Sequence, residues 1–491
     1  MLLRFLAILA AAASAQTPRS IPPDRIIGEY LRAIGGAKAV AQIQTETIAG
    51  SLTEQDTGKT GSYSLIAKAP NRFYSEIAIE PEREVQAYNG MSAWGQNAAE
   101  GARTLTGETA KEADAAARYW NSHLVDLKKS KLSAQFAGME NVRGRDAYRV
   151  RVMLGQVMGR DVFFDAQTHL IIREIAGSEQ FDYDDYRPVN GIQTPFRIEI
   201  RRGGHVYSIS VTHAEFNASV DDSIFDFPRV SGAPLPDVKV LFLEVVKNQK
   251  AIEEMQKQYT CHVIEEEEQT DGKGQVKSRK IKESEVFNIA GDEVRRLIAK
   301  DGKPLSAEEQ KKEDERFNKE FDKATKKEAE LASEPKKREQ QEAKDEQQLS
   351  DLLRAIRFSN PRRERFRGQE VIAVDFGPNP EYKPKKMVEK IAQKVAGVIW
   401  IDEQAHDVAR LEAHFSDSAK IGGGIVAAID KGSHFVFEQA KVNGEVWLPV
   451  YDEVHIGGRV LFLKAKANQI DRYSDYKKFH AESKIVSVGD Q

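Results

Sequence analysis

The chain has 491 residues, a formal net charge of −4 and 30% charged residues. This length suggests two or three domains of about 150 residues each. The near balance of charge argues against a nucleic-acid-binding protein, which normally has a clustered basic face. Cys261 is the only cysteine, which excludes an intramolecular disulfide and a multi-cysteine zinc site.

Residues 1–15 have the pattern of a secretory signal peptide. A short start containing Arg4 is followed by an apolar stretch and by the small residues Ala13-Ser14-Ala15. The apolar stretch is shorter than the about 20 residues that a membrane-spanning helix needs. We therefore expect cleavage after Ala15 and a periplasmic or secreted protein without a transmembrane span.

The first module is predicted at residues 24–228. Residues 24–34 have apolar side chains at helical spacing and end at Gly35-Gly36, a helix stop. From about residue 45, short β-branched and aromatic runs alternate with turn signals, interrupted by a helical stretch at 108–128. This order predicts one amphipathic helix followed by an antiparallel meander.

A second module is predicted at residues 239–482. Residues 229–238 contain Pro234 and Pro236 and are predicted to form a stiff linker. A second amphipathic helix follows at about 239–258, and strands begin again after it. The predicted fold is therefore mostly β (α+β), with two tandem incomplete antiparallel barrels.

Three short motifs of the first module recur in the second, in the same order. Arg143-Gly144 recurs as Arg367-Gly368, the turn from Asp165 to His169 as Asp402 to His406, and Val189-Asn190-Gly191 as Val442-Asn443-Gly444. Hairpin turns favour Asp, Asn and Gly in general, so convergence is the alternative interpretation. The shared order and spacing favour a duplication.

The second module carries a charged insert at residues 306–349. Its 44 residues hold 14 acidic and 11 basic side chains. Ser306 and Glu309 have the spacing of a helix capping box, and Pro335 interrupts the helical pattern. We predict a projecting helical hairpin, either a solvated arm or an arm that docks a partner.

No catalytic motif is present in the sequence. It has no His-Glu-x-x-His, Gly-x-Ser-x-Gly or phosphate-binding loop, and Gly422–Gly424 suit a strand start better than an anion site. His213 with Glu215, and His262 with Glu266, are each placed to share one face of a strand, but no third ligand is indicated. The sequence therefore predicts a protein that is not an enzyme and has no metal or cofactor.

Two motifs of the first module carry a family resemblance. Lys68-Ala69-Pro70-Asn71-Arg72-Phe73, followed by Tyr88-Asn89-Gly90 and Trp94, resembles the outer-membrane lipoprotein-sorting carriers. The resemblance covers the first module well and the second weakly. It implies an incomplete barrel closed by helices around an apolar cavity for acyl chains, with Arg72 as a candidate contact to a closing lid. A surface cation beside a strand is the alternative for Arg72.

The resemblance implies a binding protein for an apolar ligand, such as a lipid acyl chain or a lipoprotein, with an outer-membrane protein as a further candidate partner. Alternation along the strands suggests which side chains line the cavities. The candidates are Phe73, Trp94, Phe164 and Ile198 in the first module and Trp400, Phe415, Phe437 and Trp447 in the second. A solid core without a cavity stays open, as does an envelope scaffold that docks a partner through the charged arm.

Overall fold

The computed structural model describes residues 21–155, 157–229, 233–271, 275–289, 292–333, 335–421, 427–460 and 463–478. The predicted signal peptide and Gly422–Gly424 lie outside the described residues. The chain divides into two compact units, Met1–Pro228 and Arg229–Gln491. No helix in the described ranges is both long and apolar enough to cross a membrane.

The first unit combines helices with one antiparallel sheet. Its α-helices are α1 (Pro23–Ala33), α2 (Ala37–Val40) and α3 (Gly107–Ser122). Before α3 come β1 (Thr45–Glu54), β2 (Thr60–Lys68), β3 (Arg72–Ile79), β4 (Glu82–Tyr88), β5 (Ala93–Asn97) and β6 (Gly101–Leu105). After α3 come β7 (Leu132–Val142), β8 (Arg145–Leu154), β9 (Val157–Asp165), β10 (Ile171–Ala176), β11 (Glu179–Val189), β12 (Ile192–Arg202) and β13 (His205–Phe216).

The sheet of the first unit is unclosed. Its thirteen strands follow the order β6-β5-β4-β3-β2-β1-β13-β12-β11-β10-β9-β8-β7, so β6 and β7 are its two edges. Helix α3 joins these edges in sequence and contacts β2 to β5 and β9. Its side chains Ala113 and Ala117 are fully buried, and alanine at these positions lets the helix approach the strands closely. The inner face of the sheet, covered by α1 and α3, holds the main core.

The outer face of β3 to β5 carries a smaller core. Strand alternation places Tyr74 and Trp94 on this face, where they pack with Phe225. Phe225 ends a short 3₁₀ helix, Asp222–Phe225, in the segment that follows β13. This C-terminal segment of the unit therefore lies across the side of the sheet opposite α3.

The second unit repeats this plan with a longer first helix and with the two helices of the charged insert. Its helices are α4 (Val238–Gln256), α5 (Ala307–Ser333), α6 (Pro335–Ala355) and α7 (Met387–Ala392). Its strands up to α7 are β14 (Tyr259–Thr270), β15 (Val276–Ile289), β16 (Asp292–Lys300), β17 (Lys303–Pro304), β18 (Ile356–Phe366) and β19 (Gln369–Pro378). The rest are β20 (Val395–Asp402), β21 (Asp407–Phe415), β22 (Ala419–Ile421), β23 (Ala427–Ile429), β24 (His434–Val442), β25 (Val446–Val460) and β26 (Leu463–Lys478).

The two sheets have the same topology. The second follows the order β17-β16-β15-β14-β26-β25-β24-β21-β20-β19-β18, with β22 and β23 attached beside β25. In each unit, the strand after the first helix pairs with the last strand, β1 with β13 and β14 with β26. The predicted fold class, two tandem incomplete antiparallel barrels, is confirmed.

The recurring motifs occupy equivalent turns. Asp165 and Asp402 each accept two backbone N–H hydrogen bonds at 2.8–2.9 Å within their turns. His169 and His406 both have left-handed backbones, with φ of 60° and 49°. A polar residue at these positions is explained by the turn, as the sequence suggested.

The charged insert forms two helices, α5 and α6, as predicted, but α5 packs on the sheet and does not project. Helix α5 packs on β15 and β16, where Phe317 is buried against Val294. Phe287 pairs with Val294, while the neighbouring pair Val286 and Arg295 points to the other face, so α5 lies on the face opposite α4. Aromatic side chains among the charges anchor the helix, whereas the charge count suggested full solvation.

Candidate ligand cavity of the first unit

A cavity of about 100 Å³ lies between the sheet of the first unit, the α1–α2 region and the C-terminal end of α3. Its apolar wall includes Ile48, Leu65, Phe181 and Ile198 from the strands and Trp120 from α3. Apolar cavities of about 150 Å³ hold a benzene molecule. The cavity therefore has room for the end of a hydrocarbon chain, and a whole acyl chain requires α3 to move outward.

One side of the cavity contains a buried polar cluster centred on Glu174. Its carboxylate accepts hydrogen bonds from Tyr119 Oη at 2.5 Å, Tyr183 Oη at 3.1 Å and Arg160 Nη1 at 2.7 Å. Burial, with the nearby Glu174 carboxylate second, raises the pKa of Tyr119 and Tyr183 well above its usual range. Both phenols therefore stay protonated and keep donating to Glu174, which holds the end of α3 to β10 and β11.

A second polar contact joins the end of α3 to β1. His123 Nδ1 lies 3.7 Å from Glu46 Oε2. Burial, and secondarily the Glu174 charge, raises the pKa of Glu46 to about 7. Burial lowers the pKa of His123 to about 4. At neutral pH the His123 imidazole is thus uncharged and the Glu46 carboxyl is partly protonated. Burial in this part of the cavity wall therefore disfavours the charged form of both side chains.

The predicted lining residues of the first module occupy different layers. Ile198 lines the cavity. Phe73 and Phe164 lie behind the wall: Phe73 stacks on Trp120 at 6.4 Å between ring centroids, and Phe164 meets Tyr30 edge-on at 5.4 Å. Both are buried in the core that surrounds the cavity.

Trp94 and Arg72 lie on the other side of the sheet. The Trp94 indole Nε1 donates to the backbone oxygen of Phe225 at 2.9 Å. Arg72 forms an ion pair with Asp222 in the same C-terminal segment. Strand alternation explains these positions, because Arg72 and Tyr74 face the outer side of the sheet while Phe73 faces the inner side. Arg72 thus contacts a covering segment, but not one over the cavity.

In the second unit, the two predicted tryptophans belong to a packed core. Trp400 Nε1 donates to Glu364, and Trp447 Nε1 donates to Asp402 Oδ2 at 2.9 Å. Both rings are buried among small aliphatic side chains. Phe415 and Phe437 are half-buried, and alternation places them on the face that packs against α4.

The α4 side of the second sheet is charged where the first sheet is apolar. Arg295 forms ion pairs with Glu265 at 2.6 Å and Asp471 at 2.8 Å, and it donates to Tyr473 Oη at 3.2 Å. Asp452 accepts a hydrogen bond from the same tyrosine at 3.0 Å. The second unit therefore repeats the topology of the first without its apolar wall in this region.

The polar residues of the cavity were missed from the sequence. Alternation in β1 puts Glu46 on the same face as buried Ile48, a signal that could have identified it. Glu174, Arg160 and His123 come together only through tertiary packing of β9, β10 and α3, which no local pattern encodes.

No family model and no curated protein matches the sequence. Among solved structures, a DUF1329 family protein from Desulfovibrio piger is 16% identical, with a TM-score of 0.29, covering 42% of this chain and 97% of that chain. A LolA superfamily protein from Nitrosomonas europaea is 11% identical, with a TM-score of 0.28, covering 42% of this chain and 98% of that chain. An outer membrane lipoprotein-sorting protein domain from Vibrio parahaemolyticus is 8% identical, with a TM-score of 0.26, covering 41% of this chain and 94% of that chain. The predicted resemblance is confirmed as a likeness of one module, and at these TM-scores it assigns no activity.

Proposed function

We propose that the first unit binds one hydrocarbon chain of an amphiphile, a lipid acyl chain or the acyl group of a lipoprotein, between α3 and the inner face of the sheet. The supporting observation is the apolar cavity under a helix that is not itself part of the sheet. Binding sites for small apolar ligands are concave, mostly apolar and carry a few polar groups that fix orientation. Here Glu46 and His123 supply such groups at one wall.

Entry of a whole acyl chain requires helix α3 to move outward from the sheet as a rigid unit. Both ends of helix α3 have left-handed backbones: the helix begins at Gly107, with φ of 56°, and is followed by His123, with φ of 44°. Its polar contacts to the rest of the unit include the Tyr119–Glu174 hydrogen bond and Asn121 Nδ2, which donates to the backbone oxygen of Arg72 at 2.8 Å. A few polar contacts and an apolar underside suit a helix that an incoming chain displaces.

We expect one ligand per chain. The first unit has its buried ion pair, Arg160–Glu174, at one side of an apolar cavity, whereas the Arg295 network of the second unit extends across β14, β16 and β26. We therefore propose hydrocarbon binding for the first module only. We place this binding in the periplasm, after removal of the predicted signal peptide, as a carrier rather than an enzyme.

The test is uptake of 11-(dansylamino)undecanoic acid, whose fluorescence rises on entering an apolar site, with native mass spectrometry of the same samples. Ile198→Trp fills the cavity and should reduce uptake at least about tenfold, since it removes the contact volume. Ile66→Trp is the matched control because Ile66 packs in the outer-face core. Leu65→Phe provides a milder filling variant if Ile198→Trp fails to fold.

Equal uptake by the wild type, Ile198→Trp and Leu65→Phe would contradict the proposal. So would a wild-type chain that stays ligand-free after incubation with phospholipid vesicles and takes up no dansyl probe. That second outcome favours the scaffold alternative, in which α5 and α6 contribute a partner-binding surface.

A further inference from the structure

Three potential metal ligands meet on β24 and β25 of the second unit. His434 Nε2 lies 3.8 Å from Glu453 Oε1, and His455 Nε2 lies 2.5 Å from the same oxygen. One ligand atom from each of the three side chains lies within 4.8 Å of the others. Two imidazoles and a carboxylate at such distances form a donor set that divalent zinc uses in proteins.

The sheet fixes this arrangement. His434 pairs directly with His455 across β24 and β25, and Glu453 stands two residues from His455 on the same strand. Directly paired residues and residues at i and i+2 point to the same face. The three side chains therefore project together on the face opposite α4. Asp452 and the Arg295 network lie on the other face, the one that α4 covers.

Neighbouring side chains orient the ligands. His455 Nδ1 lies 2.8 Å from Asn468 Oδ1, and Asn468 Nδ2 donates to Glu268 Oε1 at 3.5 Å. Tyr451 Oη donates to Glu453 Oε2 at 2.6 Å, which leaves Oε1 directed at the two histidines. Histidines that bind metals commonly donate their second ring N–H to such an acceptor, and metal-binding carboxylates are hydrogen-bonded in the same way.

The contact between His455 and Glu453 needs a proton or a cation between the two atoms. His455 Nδ1 contacts Asn468, so Nε2 is the ring nitrogen that faces the Glu453 carboxylate. A lone pair and a carboxylate oxygen 2.5 Å apart repel each other unless a proton or a cation lies between them. A proton satisfies this for His455 alone, and a metal ion satisfies it for both histidines at once.

We propose that His434, Glu453 and His455 bind a divalent transition-metal ion of the zinc class. The side chains of the three ligands are 23–31% exposed, so water can complete the coordination. His414 on β21 pairs directly with His434 in the sheet but is not one of the three residues whose ligand atoms converge. The two imidazole rings are stacked, 4.3 Å apart at an interplanar angle of 26°, and must rotate apart for one ion to lie in the plane of both.

This site is independent of the proposed hydrocarbon binding, since all its residues belong to the second unit. The experiment is calorimetric titration of Zn²⁺ into the untagged full chain after EDTA treatment and dialysis, followed by Co²⁺ titration monitored by visible absorption. We expect one Zn²⁺ per chain and Co²⁺ bands of a four- or five-coordinate site. His434→Gln and His455→Gln should each weaken Zn²⁺ binding at least about 100-fold, and Asn468→Ala about tenfold, the range for outer contacts.

His262→Gln is the matched control, because His262 also faces a glutamate, Glu283 at 3.6 Å, but without a second histidine. Its Zn²⁺ affinity should equal that of the wild type. Circular dichroism of each metal-free variant separates loss of binding from loss of fold. The proposal is overturned if the wild type binds no Zn²⁺ at 100-fold excess over micromolar protein, or if His434→Gln and His455→Gln bind it like the wild type.

Discussion

Arg160 and Glu174 form an ion pair inside the first unit, with 2.7 Å between Nη1 and Oε2 and no more than 10% of either side chain exposed. The guanidinium also lies over the rings of Tyr119, Trp120 and Phe181, at 5.0, 5.4 and 5.1 Å from their centroids. The pair therefore links the end of α3 to the strands beneath it. The two charges compensate each other, and the tyrosine hydroxyls and the three rings around them add further favourable contacts.

Removing one partner of this pair should destabilise the first unit strongly. Glu174→Leu leaves Arg160 buried without its counter-ion, and such a loss costs about 3–5 kcal/mol of the free energy of unfolding. The double variant Arg160→Met/Glu174→Leu should cost less than the single one, because no buried charge is left. Urea unfolding followed by tryptophan fluorescence measures both, and a double variant less stable than the single one would contradict this account.

The raised pKa of Glu46 predicts a pH dependence of stability. Since its pKa rises from 4.5 to about 7 on folding, the folded state holds the proton more tightly. Protonated Glu46 therefore contributes on the order of 3 kcal/mol to the free energy of unfolding. This contribution is fully present below about pH 4.5 and is lost as the pH rises to about 7. Relative to wild type, Glu46→Gln should therefore gain stability as the pH rises from 5 to 8.

The effect of His123 on stability has the opposite pH dependence, because burial lowers its pKa from 6.5 to about 4 on folding. Its contribution is present above about pH 6.5 and is lost as the pH falls to about 4. Comparison of Glu46→Gln with wild type at each pH cancels most of the His123 effect. Glu215→Gln, on the exposed part of β13, is the control, and a difference between wild type and Glu46→Gln that does not change with pH would refute the prediction.

Arg72→Met should leave ligand uptake unchanged. Arg72 pairs with Asp222, whose side chain is 55% exposed, on the face of the sheet away from the cavity. Exposed ion pairs contribute little to stability because water screens them. Uptake of the dansyl probe and the unfolding midpoint should both match wild type, as should those of Asp222→Asn. A large loss of uptake in Arg72→Met alone would restore the lid role that the family resemblance implied.

Phe317→Ala should loosen α5 from the sheet of the second unit. Phe317 is 6% exposed and contacts Val294 and Phe287, and a buried phenylalanine replaced by alanine costs about 3–5 kcal/mol. Hydrogen exchange should become faster in β16 and α5. Lys319→Ala, two residues further on the exposed side, is the control and should exchange like wild type. Unchanged protection in Phe317→Ala would mean that ion pairs such as Arg296–Asp314 hold the helix instead.

Local sequence patterns predicted the helices and strands well, but they predicted less well which face of a sheet each side chain occupies. The helix stop at Gly35-Gly36 and the alternation around Ile48 are encoded within a few residues, so α1 and β1 were predictable. The direction of Trp94 depends on strand register and on a covering segment about 130 residues later, and sequence spacing contains neither. The same holds for His434 and His455, which are 21 positions apart and become neighbours only when β24 and β25 pair.

The charged insert shows a different limit. Its composition is typical of a solvated helix, yet Phe317 and Phe321 recur at a spacing of four and define one apolar stripe. Two aromatic side chains were too few to outweigh 25 charges in a composition argument. The spacing of the apolar residues along the helix, considered apart from the overall composition, would have predicted that α5 packs on the sheet.

Both sheets have open edge strands, and the two units have the same topology, so a strand of one unit could pair wrongly with the other unit. Each sheet ends in a long strand, β7 in the first and β18 in the second, and each of these carries a bulge, at Phe136/Gly138 and at Ser359/Arg362. Pro361 within the second bulge also lacks the N–H that a further strand would require. Bulges and proline keep exposed strands from recruiting neighbours. The halves can thus emerge one after the other during synthesis with less risk of exchanging strands or seeding aggregates.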